Sequence, residues 1–236
     1  MLPPLPYLPC SLQGVLLLIG GISHLEGGFT LRCLQRLSLP DLATLPCRWS
    51  TTDTPVVRPS RSSRTKDSSS QISSARAKKL GAVITYDPNY RANLWKNKED
   101  AIAQMKAPLP LVDILKVSDE ELPLLTGTTD CESGKAQLAQ NGIRLIFVTL
   151  GANGVFYRFG EKTGHVAGVP CKVGDTNGAG DTFFGAALSK LCKEELDTLT
   201  VDKLEGILAF ANKAASITTS RHGAIPAMPT LAEVEG

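Results

Sequence analysis

The sequence predicts an α/β fold over residues 74–236: a mostly parallel sheet flanked by helices on both faces, incomplete at its N-terminal side. Three observations carry this. Short apolar runs at 82–86, 112–117 and 143–150 alternate with longer stretches of helical period, the pattern of strands joined by crossover helices. Those runs are apolar almost throughout, as strands covered on both faces should be. Before residue 74 the text carries no sustained period of either kind.

Residues 1–57 are rich in Pro, Leu and Cys. Their one apolar run, 14–22, is shorter than the ~20 residues that span a bilayer. It also lacks the basic region that precedes a signal peptide's core, so a buried strand is expected. Residues 58–76, crowded with Ser, Arg and Lys, read as a solvated linker. Residues 1–73 are therefore expected to be an irregular segment, either disordered or the artefact of a shifted frame, a misread gene or a truncated fusion. Beyond it a helix closes at Lys79 and a strand covers 82–86. A helix at 99–106 and a strand at 112–117 follow. Next comes a capped helix at 118–125, which Pro123 keeps short or bent by removing one internal hydrogen bond. A helix over 133–141 stops at Gly142, and a strand covers 143–150. Asn153-Gly154 is a hairpin signal, with strands expected at 155–159 and 165–169. Amphipathic helices at 179–192 and 201–219 complete the order, and no repeat is present.

The 236 residues, 42% hydrophobic, suffice for a globular core. A net charge of +2 and a pI near 8.2 give no reason to expect nucleic acid or a membrane surface as partner. The six cysteines show no C-x-x-C spacing, and His24, His165 and His222 are scattered. A thiolate metal site is not expected; a reduced, cytoplasmic setting is.

The most informative segment is 173–184. Gly178-Ala179-Gly180 runs into a helix, whose first N–H groups are unpaired and attract an anion. Glycine lets the anion approach the backbone. Asp181 beside such a site fits a general base next to a phosphate cradle, the combination that phosphoryl transfer to an alcohol requires. Two plainer alternatives stand: a helix cap for Asp181 and an ordinary turn for the glycines. A Walker loop is excluded, because no Gly-Lys-Ser/Thr follows, and the glycines do not fall as G-x-G-x-x-G. Ser118 and Glu121 spell a capping box, S-x-x-E. Asp87 and Asn89 end a strand, where ligands gather in open α/β sheets, although Asp-Pro-Asn is also a common turn. Arg91 is a phosphate clamp or a surface cation.

Residues 175–181, Asp-Thr-Asn-Gly-Ala-Gly-Asp, match every fixed position of D-T-x-G-A-G-D, and so resemble the ribokinase-like (PfkB) family of sugar kinases. The runs Tyr86-Asp87-Pro88-Asn89-Tyr90-Arg91, Lys116-Val117-Ser118-Asp119-Glu120-Glu121-Leu122, Leu125-Thr126-Gly127 and Val148-Thr149-Leu150-Gly151-Ala152-Asn153-Gly154 occur in the family's order. They look most like the fructokinase branch, and the resemblance covers roughly 74–234. It implies an ATP-dependent kinase that moves the γ-phosphoryl group to a hydroxyl of a small sugar, with fructose as first candidate. It implies Asp181 as the base and the amides of Gly178, Ala179 and Gly180 as an anion hole. Thr149, Gly151 and Gly154 would border the nucleotide, and Asn212 the adenine. Asp87, Asn89 and Arg91 would serve substrate and phosphate. Glu121 would act on Mg2+ through water, with Ser118 standing where the family's N-x-x-E motif has Asn. Asp175 and Asn177, with backbone near Arg221 and Gly223, would border a monovalent cation such as K+.

The family's front strands, Gly-Gly motif, sugar-reading residues and lid have no counterpart here; Gly20-Gly21 and Gly27-Gly28 lack the right neighbours. A non-catalytic nucleotide-binding remnant or regulatory module is therefore the alternative, and a kinase for a nucleoside or a keto-deoxy sugar acid is a third. Homodimers are common in the family, but the visible sequence does not support one.

Overall fold

The computed structural model describes residues 49–51, Lys78 and 82–236. The expected strand at 14–22, the linker at 58–76, the helix end at Lys79 and the rest of segment 1–73 lie outside the described residues. The strands are β1 (Trp49–Thr51), β2 (Val83–Tyr86), β3 (Ile114–Ser118), β4 (Leu145–Thr149), β5 (Val155–Phe159) and β6 (Lys162–Val166). The helices are α1 (Lys98–Lys106), α2 (Leu122–Thr126), α3 (Cys131–Ala139), α4 (Ala179–Leu191), α5 (Val201–Thr219) and α6 (Leu231–Glu235).

The sheet runs β1-β2-β3-β4-β5-β6, in the order of the chain. The first four strands are parallel, β5 returns antiparallel to β4, and β6 turns back again antiparallel to β5. Parallel neighbours that advance in one direction through right-handed crossovers must carry their helices on one face. Accordingly α1, α2 and α3 share a face, where Met105, Leu122 and Leu138 pack with Leu115, Val117, Ile146 and Val148. The opposite face shows Ile114, Leu145, Phe147 and Tyr157, covered by Phe183, Phe184 and Leu188 of α4 and Leu204 and Leu208 of α5. Residues 114 and 115, or 145 and 146, thus go to opposite cores. This two-sided burial is why β3 and β4 read as largely apolar runs, with Lys116 the exception in mid-strand.

Several boundaries move, each for a local reason. Strand β1 lies in text that showed no period, and it joins β2 in parallel register. Helix 118–125 shrinks to α2 because Ser118 still pairs with Thr149 as the last residue of β3, leaving Asp119–Glu121 as a turn. Pro123 then falls in the first turn of α2, where its missing N–H costs nothing. Helix α3 starts at Cys131, ahead of the expected 133, because the Asp130 carboxylate caps it, accepting from Ser133 N–H at 2.7 Å. The hairpin signal at Asn153-Gly154 falls between antiparallel strands, but they are β4 and β5, and the strand expected at 165–169 is displaced most. Asn153 and Gly154 belong to the β4–β5 connection, whereas β5 and β6 are joined at Gly160 and Glu161, with Phe159 opposite Lys162. Gly160 adopts φ 57°, the left-handed turn conformation that glycine tolerates. The last strand therefore covers 162–166 and not 165–169. Helix α4 opens at Ala179 as expected, and α5 keeps both of its expected ends. Among the described residues no helix is long and apolar enough to cross a membrane.

Phe147 of β4 is fully buried and meets Phe183 and Phe184 edge-on, with centroids 6.0 and 6.5 Å away. Because this cluster seats α4 on the sheet, Phe147→Ala should cost about 3–5 kcal/mol in urea unfolding. A loss below about 1 kcal/mol would mean that α4 is not held by this packing.

Candidate active site

The carboxyl ends of β2, β3 and β4 and the start of α4 meet on one side of the sheet. Asp87 follows β2, Ser118 ends β3 and Thr149 ends β4 beside it in register. Gly178 caps α4 with φ 78°, a conformation that a side chain would strain. Thr182 N–H reaches Gly178 O at 2.8 Å and starts the helical ladder. Ala179 N–H is turned toward Thr176 O at 3.3 Å, while Gly180 and Asp181 N–H have no backbone acceptor among the described residues. The amides left unpaired at the start of α4 are therefore those of Gly180 and Asp181 more than that of Ala179.

Asp181 is half-buried in the first turn of α4. Burial raises its pKa, Lys116 and Arg91 pull it back down, and Glu121 adds to the rise. Lys116 lies in the middle of β3, almost fully enclosed, with its Nζ 3.0 Å from Asp87 Oδ2. Burial alone would discharge this ammonium. Asp87, Glu121 and Asp181 outweigh it and hold Lys116 above the ordinary lysine range. Asp87 is pushed up to about 6 by burial, against the pull of Lys116 and with the repulsion of Glu121 and Asp181.

Glu121 is buried, with both carboxylate oxygens on backbone amides: Tyr90 N–H at 2.6 Å and Ser118 N–H at 2.9 Å. Glu121 N–H returns to Ser118 Oγ at 3.1 Å, so the reciprocal bonds of a capping box are present in the turn before α2. Asn89 takes φ 47° and gives its N–H to Asp87 Oδ1 at 3.1 Å, closing an Asx turn. Arg91 is exposed and bonds Tyr90 O at 3.0 Å. The structure thus brings Asp87, Arg91, Glu121 and Asp181 together, with Asn89 shaping the loop that carries two of them.

A second group of sequence-predicted residues lies around the ends of α5 and β6. Asp175 accepts from Asn177 N–H at 2.9 Å and from Gly223 N–H at 3.2 Å, and these amides hold its carboxyl below the usual range. Gly174 and Asp175 both donate to Thr219 O. The expected neighbourhood of 175, 177, 221 and 223 therefore exists as a closed loop pair. Thr149 Oγ1 bonds Val117 O at 3.3 Å, and Gly151 has φ 55°. At Gly154, a Cβ would meet Val166 O at 2.2 Å, so two main chains touch there with no side chain between. Asn212 is buried, and its Nδ2 donates to Val166 O and Ala167 O at 3.2 and 2.9 Å, which pins the end of β6 to α5. Its amide nitrogen is engaged, leaving Oδ1 as its acceptor.

Lys116 is the site residue that sequence reasoning missed. A lysine inside an otherwise apolar strand was the available signal, because a buried lysine needs an acid partner.

Residues 62–231 match the description "pfkB family carbohydrate kinase", well over half of the chain. The chain belongs to the pfkB family of carbohydrate kinases. It is 40% identical over 158 residues to "Fructokinase-2" of Solanum habrochaites, covering 66% of this chain and 48% of that protein. Among solved structures, the fructokinase of Xylella fastidiosa with bound ATP aligns with TM-score 0.66 at 30% identity, over 72% of this chain and 55% of that one. A double variant of Vibrio cholerae fructokinase, holding fructose, ADP and a potassium ion, aligns with TM-score 0.66 at 31% identity, over 71% and 54%. The chain spans about half the length of the curated relatives it matches.

The raised pKa of Asp87 fixes the sign of one pH effect. The fold favours its neutral form, so this group's contribution to stability is complete below the ordinary carboxylate range and is lost as pH rises through about 6. Carbon-detected carboxyl NMR should find Asp87 titrating near pH 6 and the exposed Glu233, paired with Arg221 and the Thr230 N–H, near 2. An Asp87 midpoint near 4 would contradict this burial.

Proposed function

We propose that the chain carries the phosphoryl-transfer half of an ATP-dependent sugar kinase, moving the γ-phosphoryl group to a hydroxyl of a small sugar, with fructose the favoured acceptor. The observation that carries this reading is the half-buried Asp181 carboxylate at the amide end of α4, faced by Lys116 and Arg91. The relatives support fructose, since they are fructokinases, one of them with fructose and ADP bound.

The chemistry follows from charge. A sugar hydroxyl must lose its proton as it attacks phosphorus, and Asp181 accepts that proton. Burial raises the basicity of its carboxylate, and Lys116 and Arg91 favour its ionised form against that rise. Negative charge on the transferring group meets the Gly180 and Asp181 amides, which are fixed before the reaction begins. Arg91, exposed on the loop after β2, is free to reach a phosphate oxygen.

Among the described residues no three His, Cys, Asp or Glu side chains converge into a metal cage. Glu121, with both oxygens on amides, fits a role on Mg2+ through water; the ion when bound supplies neutralising charge to the phosphates. Asp175 and the 219–223 loop offer oxygens that fit K+ beside the anion site. A cytoplasmic setting belongs to this reading, in keeping with free thiols at Cys131 and Cys171.

A second reading keeps the nucleotide and drops the catalysis. Purified protein titrated with ATP and then fructose separates the two: sugar phosphate in the product rejects the remnant, and saturable ATP binding without product rejects the kinase. In the kinase case, Asp181→Asn should lower kcat by about a hundred- to ten-thousand-fold and leave ATP affinity within a few fold. Equal turnover in the two proteins would remove Asp181 from the role of base.

A further inference from the structure

We propose that Lys116 is a positioning residue for this site: tethered to Asp87 and seated in the space that a side chain at 180 would occupy, it fixes the charge of Asp181 and backs the anion-binding turn of α4. This rests on the function proposed above and gives a part in that site to a residue for which its sequence motifs implied none.

The geometry comes first. A Cβ built at Gly180 would meet Lys116 Nζ at 3.2 Å and Cε at 3.7 Å. The ammonium therefore lies close against the main chain at Gly180, where a side chain would press on it. The other side of the ammonium is held by Asp87 Oδ2 at 3.0 Å, with both side chains under one-tenth exposed. An ammonium gripped in this way has little freedom to turn away.

The charges around Asp181 come from several elements: Lys116 from β3, Asp87 from the end of β2, Arg91 from the loop beyond it and Glu121 from the turn before α2. That is three carboxylates against two cations, and Arg91 is exposed to screening solvent. Lys116 is the larger of the two influences favouring the Asp181 anion. Without it, three acids share one partly buried site, and the cheapest relief is for one to take a proton. A protonated Asp181 cannot accept a hydroxyl proton.

The test uses the full chain and reads Asp181 directly by carboxyl NMR, in the wild type, Lys116→Met and Asp87→Asn, with the folded state checked by amide spectra. Lys116→Met should raise the Asp181 midpoint by about one pH unit or more. Asp87→Asn, which removes an acid, should leave the midpoint in place or lower it. A purely structural lysine would give no shift, or upward shifts in both variants, and either result overturns the proposal. Should Lys116→Met not fold, Gly180→Ala probes the same contact from the other side, and its methyl should likewise raise the midpoint. If turnover is measurable, the acid limb of kcat/KM should move with the NMR midpoint, with activity recovered at higher pH. The titration needs no turnover, so absence of sugar phosphate from the wild type at every pH would defeat the proposed function without deciding this result.

Discussion

The ion pair between Lys116 and Asp87 is the interaction on which the rest of the site depends. It ties the residue just past the end of β2 to the middle of the adjacent parallel strand β3, from positions 29 apart in the chain. Two charges in such an enclosure stabilise little in net terms, because desolvation consumes most of their attraction. Their value lies in what happens when one is removed: the other is stranded in low dielectric, at a cost of about 3–5 kcal/mol. The pair therefore keeps the strand ends in register and leaves a permanent positive charge beneath the first turn of α4.

The sheet supplies the rigid support for that charge. Parallel strands advancing in one direction send α1–α3 to one face and leave the other for α4 and α5. Helix α4 can then aim its N-terminus at the strand ends, held from below by Phe147 and from the side by the hydroxyl contact of Thr182 with Thr218 of α5, 3.0 Å apart and fully buried. The amides and the Asp181 carboxylate thus rest on α4 and the ammonium on β3, neither of which bends easily.

How much of this was legible beforehand varies with the physical signal. Helices α4 and α5 were clear because glycine opens one and Thr200 caps the other, each ahead of a sustained apolar stripe. Strands β3 and β4 were clear as short runs that are apolar almost throughout. Strand β6 was not: Lys162, Thr163, Gly164 and His165 form an exposed edge and carry no hydrophobic pattern. Within the site, Asp181 stood out through its glycines, and the pairing of Ser118 with Glu121 through its spacing. Lys116 was illegible because its meaning depends on Asp87 and Gly180, which only the folded chain brings within reach. Glu121 was read as an acid for a metal or a cap, yet its full engagement with Tyr90 N–H belongs to a contact between distant loops.

The touching main chains at Gly154 and Val166 have a wider consequence. Gly168 repeats the contact, since a Cβ there would strike Ala152 O at 2.2 Å. Asn212 of α5 grips the same stretch through two carbonyls. The loop after β4, the exit of β6 and the middle of α5 are thereby welded into one mechanical part, although some sixty residues separate its ends. Slack cannot be absorbed where no side chain intervenes, so any drift of the long helix is passed undamped to the loop beside Thr149. That loop and the helix are bound to vary together or not at all.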